Sequence, residues 1–153
     1  MEDEFADSDR PGPRSGAVLM DLLRQAGIGP RSLVRIAGRD GLAPLIWLCR
    51  YGFQDVAYVR LGAPAPRDPA DVVLALASMT LDEVARLLAE PHLLRDGGVL
   101  VLKTPIPDAQ DGRDPVHEVL EHAGFHVERC LHRHTQELHL ARFEPATGLP
   151  RAA

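Results

Sequence analysis

The chain has 153 residues, a formal net charge of -5 at pH 7 and 45% apolar residues, which suits one domain with a real core and excludes a largely disordered chain. The acidic balance argues against a whole-surface nucleic-acid footprint, and no apolar stretch approaches the roughly 20 residues that a bilayer helix needs. Two cysteines, Cys49 and Cys130, make no disulfide framework; with an acidic opening (Met1-Glu2-Asp3-Glu4) where a secretory leader would be basic, they point to a reducing, cytoplasmic setting.

Residues 1–14 carry Glu2, Asp3, Glu4, Asp7 and Asp9 before Arg10-Pro11-Gly12-Pro13, a composition that predicts a disordered acidic tail. Residues 145–153, with Pro145, Gly148 and Pro150, predict a second tail, leaving residues 15–144 as the folded domain. A first helix is expected from Ser15 to about Ala26, because Leu19, Leu22, Leu23 and Ala26 share one face. Ser15 would cap its start and Gly27 its end. Leu33–Ala37 reads as the first strand, Gly38–Gly41 as a glycine turn, and Leu42–Arg50 as a second helix that tolerates Pro44 in its first turn and ends at Gly52. Trp47 is expected to pack on the core.

Asp55–Leu61 is expected to form the second strand. A run containing Pro64, Pro66 and Pro69 then leads to Asp71–Ala77, whose near-continuous apolar character suits a central parallel strand. Roughly ten residues at about 3 Å each can return the chain across the sheet without a helix. Thr80 and Glu83 have the spacing of a capping box, and Leu81, Val84, Leu87 and Leu88 give the helix that follows its apolar face. Arg95–Gly98 reads as a turn and Val99–Leu102 as a buried strand. After a polar loop over Pro105–Arg113, a helix starts at Asp114-Pro115, buries Val116, Val119, Leu120 and Ala123, and stops at Gly124. His126–Arg133 and Leu138–Phe143, joined by a turn over Thr135–Glu137, predict an antiparallel hairpin.

This order predicts an α/β domain: a Rossmann-like, mostly parallel sheet with helices on both faces and an antiparallel C-terminal hairpin. The stretches Val34–Leu48, Asp71–Val73, Leu93–Leu102 (LLRDGGVLVL) and Ala123-Gly124-Phe125 resemble the class I S-adenosylmethionine-dependent methyltransferase family over roughly residues 15–144. The resemblance implies a cofactor site at Ala37, Gly38, Arg39, Asp40, Gly41 and Arg60. It also implies departures. Arg39 stands at the middle glycine of the family's loop, Arg60 stands where a ribose-binding acid is expected, and the third strand with its neighbouring helices is missing between Leu61 and Asp71.

Arg35, Arg39 and Arg60 could alternatively attract an anion to the strand ends, or act as three separate solvated cations. Cys130, His132 and His134 alternate, so one strand would present them on one face, with His126 and Glu128 continuing it. That set supplies no fourth ligand, and no metal is assigned to it. Ser78 lacks a nucleophile elbow, and Gly38–Gly41 lacks the Lys of a phosphate loop. The reading that follows is a shortened, degenerate methyltransferase-like domain without catalysis or cofactor, acting through a protein partner or a homodimer at an exposed sheet face or edge. Its alternative is an active methyltransferase or small-ligand binder, with Asp40 contacting S-adenosylmethionine. A third reading is a metal-dependent regulator built on Cys130 and the late histidines.

Overall fold

The computed structural model describes residues 13–39, 42–60, 68–90, 93–107 and 112–145. Most of both expected tails, most of the proline-rich run, and Asp40 and Gly41 lie outside these residues. Ten elements follow in order: α1 (Pro13–Gln25), β1 (Leu33–Ala37), α2 (Ala43–Arg50), β2 (Asp55–Val59), β3 (Ala70–Ala75), α3 (Leu81–Leu88), β4 (Leu94–Pro105), α4 (Pro115–His122), β5 (Phe125–Arg133) and β6 (Gln136–Phe143). Among the described residues, no helix is long and apolar enough to cross a membrane.

The six strands form one sheet in the order β2-β1-β3-β4-β6-β5. β2 and β3 both run parallel to β1, and β3 runs parallel to β4. β6 is antiparallel to both β4 and β5. Side chains alternate across the pleat, so the sheet feeds two cores. Val34, Ile36, Val72, Leu74, Val99, Val101 and Leu140 meet Leu19, Leu22 and Leu23 of α1 and Leu48 of α2. Val73, Leu100, Leu102 and Ala141 meet Val84 and Leu87 of α3 and Val116 and Leu120 of α4. Helices therefore cover both faces, as the apolar spacing predicted.

The helix signals are largely where the sequence placed them. Thr80 Oγ1 accepts from the Glu83 N–H at 3.2 Å, the first half of the capping box. Asp114 Oδ1 accepts from the Val116 N–H at 3.0 Å, with Pro115 beside it where its missing N–H costs nothing. The first helix, however, begins at Pro13, which leaves Ser15 inside it rather than capping it. Trp47 is half-buried. Its indole lies over Gly16, where a Cβ would come within 2.6 Å of Nε1, and its ring stands 4.8 Å from that of Tyr51.

Three irregularities correct the strand predictions. The Arg95–Gly98 turn lies within β4: pairing passes from Ala70–Leu94 to Val72–Val99, so β4 loops out three extra residues. Gly98 is required there, because a Cβ would lie 2.9 Å from the Arg95 carbonyl oxygen. In β5, Val127 pairs with Ala141 but Arg129 pairs with Leu140. The resulting bulge at Glu128 takes His126 and Glu128 off the face that carries Cys130 and His132. Finally, the hairpin turn is His134-Thr135, and Gln136 and Glu137 belong to β6. His134 adopts φ 52°, the left-handed conformation that tight hairpin turns need and that side chains other than glycine seldom take.

One arginine ties these irregular parts together. Arg142 on β6 donates through Nη1 to the Gly97 carbonyl at 2.9 Å and through Nη2 to the Ala26 carbonyl at 3.2 Å. Its Nε donates to Glu128 at 2.6 Å. The end of α1, the loop-out of β4 and the bulge of β5 thus share one guanidinium, whose planar fork suits several acceptors at once.

Candidate functional site

β1 connects through α2 to β2 on one side of the sheet, whereas β3 connects through α3 to β4 on the other. The carboxyl ends of β1 and β3 therefore flank the topological switch point, where open α/β sheets hold their ligands. Ala37 ends β1, fully buried and paired with Val59. Gly38 follows with φ +105°, and among the described residues only the Ala77 Cβ, at 3.9 Å, lies near the position its own Cβ would take. A left-handed residue at this point is what a sharp strand-to-helix turn demands. The capping position of α2 is Leu42, whose side chain makes no cap hydrogen bond.

Arg39 leaves this turn and crosses to the far wall. Its Nη2 donates to Glu83 Oε1 at 2.8 Å. Glu83 is held for it, because the Thr80 hydroxyl also donates to Oε1 at 3.3 Å. The bridge joins the loop after β1 to the start of α3, on the two sides of the switch point. Arg60 is exposed just after β2. Arg35 does not join them: its Nη1 turns to Asp55 at 3.3 Å and to the Val34 carbonyl at 2.9 Å. The three arginines do not converge on one anion. Asp40 and Gly41 lie outside the described residues.

A second polar site lies further along the carboxyl edge, where the start of α4 covers β4, β6 and β5. Register pairs Cys130 with His139, His132 with Glu137 and Thr104 with Glu137, and Asp114 and His117 approach from the helix. His139 Nδ1 lies 3.1 Å from His117 Nε2 and 3.6 Å from Cys130 Sγ. His139 Nε2 lies 2.9 Å from Thr104 Oγ1 and 3.3 Å from Glu137 Oε2. His132 Nδ1 lies 3.2 Å from Glu137 Oε1, and His117 Nε2 lies 3.6 Å from Asp114 Oδ2. His139 and Glu137 are 0% and 3% exposed.

Burial governs the protonation of this cluster. It pushes the His139 imidazole down to about 4, against the pull of Asp114. It pushes the Cys130 thiol up to about 11, with Glu137 and Asp114 adding repulsion. It raises Glu137 to about 7, together with the hydrogen bond and charge of Asp114. Asp114 itself is lowered: burial works against its charge, but hydrogen bonds from Glu137 and the Val116 N–H favour it.

No protein-family model matches the chain, and no curated protein matches it in sequence. Solved structures do match. The chain superposes on the 1,6-didemethyltoxoflavin-N1-methyltransferase of Burkholderia thailandensis, solved with S-adenosylhomocysteine bound, with a TM-score of 0.62 at 15% identity over 90% of this chain and 80% of that one. Against the ribosomal protein L11 methylase of Lactobacillus delbrueckii subsp. bulgaricus the values are 0.63 and 10%, over 88% and 81%. The chain has the fold of the class I S-adenosylmethionine-dependent methyltransferases. The cyclase SpnF matches as well, at 0.61 and 12% over 85% and 81%. A methyltransferase-like fold therefore carries more than one named activity, and fold alone assigns none.

In this methyltransferase-like domain, Ala37, Gly38 and Arg39 follow one another at the carboxyl end of β1, and Asp40 and Gly41 lie outside the described residues. The late histidines are arranged differently from the expectation. His134 sits exposed in the hairpin turn, away from Cys130 and His132. Their actual neighbours are His139 and Glu137 on β6 and Asp114 and His117 on α4, with Thr104 beneath. The signal for half of that set was present: a two-residue turn at His134-Thr135 places Cys130 opposite His139.

Proposed function

We propose that this chain is a non-catalytic, methyltransferase-like domain that acts by binding protein. The observation that carries the reading is the Arg39–Glu83 bridge, which spans the crevice where the fold would seat its cofactor. Arg60 adds a cation where an acceptor for ribose hydroxyls is expected from the family resemblance. In support of protein binding, Leu42 and Ile46 stand one helical turn apart and are 65% and 49% exposed. Close by in the fold, β2 pairs with only β1 among the described strands. An edge strand is a ready surface for a second copy of the chain, and two-fold symmetry would continue the sheet antiparallel.

Calorimetric titration with S-adenosylmethionine and S-adenosylhomocysteine tests the cofactor half. The expected result is no heat of binding at millimolar ligand. Micromolar binding that Asp40→Ala abolishes would overturn it and establish the second reading, an S-adenosylmethionine-dependent methyltransferase or small-ligand binder. The room at Gly38, where among the described residues only Ala77 comes near, favours that alternative.

A further inference from the structure

We propose that Asp114, His117, Cys130 and His139 form a binding site for a tetrahedral transition-metal ion of the zinc class, with all four ligands supplied by protein side chains. Two imidazole nitrogens, one thiol sulfur and one carboxylate oxygen here lie within 4.8 Å of one another. Zinc bonds of about 2.0–2.1 Å to nitrogen and about 2.3 Å to sulfur place tetrahedral ligand atoms roughly 3.3–3.6 Å apart. The observed separations, 3.1 Å between His117 Nε2 and His139 Nδ1, 3.6 Å between Cys130 Sγ and His139 Nδ1, and 3.6 Å between His117 Nε2 and Asp114 Oδ2, are close to those edges. A thiolate with two imidazoles is a soft donor set, which selects zinc over magnesium or calcium.

The surroundings of His139 point the same way. For Nδ1 to offer its lone pair to a metal, the proton must sit on Nε2. Thr104 Oγ1 at 2.9 Å and Glu137 Oε2 at 3.3 Å stand ready to accept from it there. Glu137 Oε2 is buried and accepts no hydrogen bond among the described residues. A buried carboxylate oxygen behind a histidine is the usual device for fixing the tautomer of a metal-bound imidazole. On binding, the Cys130 S–H bond breaks, sulfur donates its electron pair to the metal, and the proton passes to solvent. With four protein ligands no position is left for a substrate, so the ion ties the start of α4 to the β5–β6 hairpin.

Titrating the full chain with Co(II), then displacing it with Zn(II), tests the assignment. One equivalent is expected to give the intense visible bands of tetrahedral Co(II) and a thiolate-to-metal charge-transfer band. Cys130→Ser should remove the charge-transfer band, and Glu137→Gln should weaken binding by about 10–100-fold. His117→Asn, at a half-buried position on the helix surface, keeps the test open if Cys130→Ser fails to fold; it should lose the tetrahedral spectrum while circular dichroism stays native. His134→Ala, in the turn outside the set, should bind as wild type. Weak octahedral spectra, binding below one equivalent, or an equal loss in His134→Ala would each overturn the proposal.

Discussion

The Arg39 guanidinium meets the Glu83 carboxylate at 2.8 Å, across the carboxyl ends of two adjacent parallel strands. The contact is solvent-facing, with the arginine side chain 77% exposed, so it contributes little to stability. Glu83→Gln is expected to shift the urea midpoint by less than about 1 kcal/mol of stability. Thr80→Ala, which removes the helix cap as well, should cost about 1 kcal/mol. A loss beyond 2 kcal/mol in Glu83→Gln would mean that the bridge is a structural keystone rather than a surface contact.

Arg142 is a different kind of pair-former, because two of its acceptors are backbone carbonyls in half-buried surroundings. Arg142→Ala should destabilise the domain by about 2 kcal/mol, as expected for lost hydrogen bonds to a charged group. Arg142→Lys should recover only part of that loss, since one ammonium cannot reproduce the fork. Chemical denaturation of the three proteins would decide it; a lysine variant as stable as wild type would contradict the geometry.

The protonation of the buried cluster predicts a compensated pH profile for the metal-free protein. His139, lowered to about 4, stays neutral in the fold while the unfolded chain takes up a proton. Its contribution is present above pH 6.5 and is lost as pH falls towards 4. Glu137, raised to about 7, keeps its proton in the fold while the unfolded chain releases it. Its contribution is present below pH 4.5 and is lost as pH rises towards 7. The two slopes oppose each other between about pH 4.5 and 6.5. Glu137→Gln removes one of them, so its stability should rise with pH through that window more steeply than that of wild type. Denaturation in the presence of a chelator measures this, and parallel profiles would reject it.

Leu42 and Ile46 predict self-association. Light scattering of the wild-type chain is expected to give the mass of a dimer, and the double variant Leu42→Ser/Ile46→Ser that of a monomer with native circular dichroism. A monomeric wild type at high micromolar concentration would remove the homodimer.

The sequence carried the fold because its strongest signals were local. The leucine stripe of α1, the Thr80–Glu83 box and the short, continuous apolar runs of β3 and β4 each encode one element, the runs reading as buried strands by their length and valine content. The polar cluster was legible only in part, since its members come from β4, α4, β5 and β6. Grouping them needs the hairpin register, and that depends on a histidine in a left-handed turn that sequence pattern does not reveal. The bulge at Glu128 is equally silent, yet it decides which alternate residues share the Cys130 face. Asp114 read as a helix cap, which it is, and its second oxygen was free for another role.

The Arg142 contacts also set an order of events. Ala26 and Arg142 are 116 positions apart, so the first helix gains this anchor only after the last strand has joined the sheet. β6 itself is laid between β4 and β5, so the edge of β4 stays open until β6 has docked. Contacts of such long sequence separation form slowly. The Arg142 anchor of α1 is therefore a late contact in folding, made only once β6 has paired with β4.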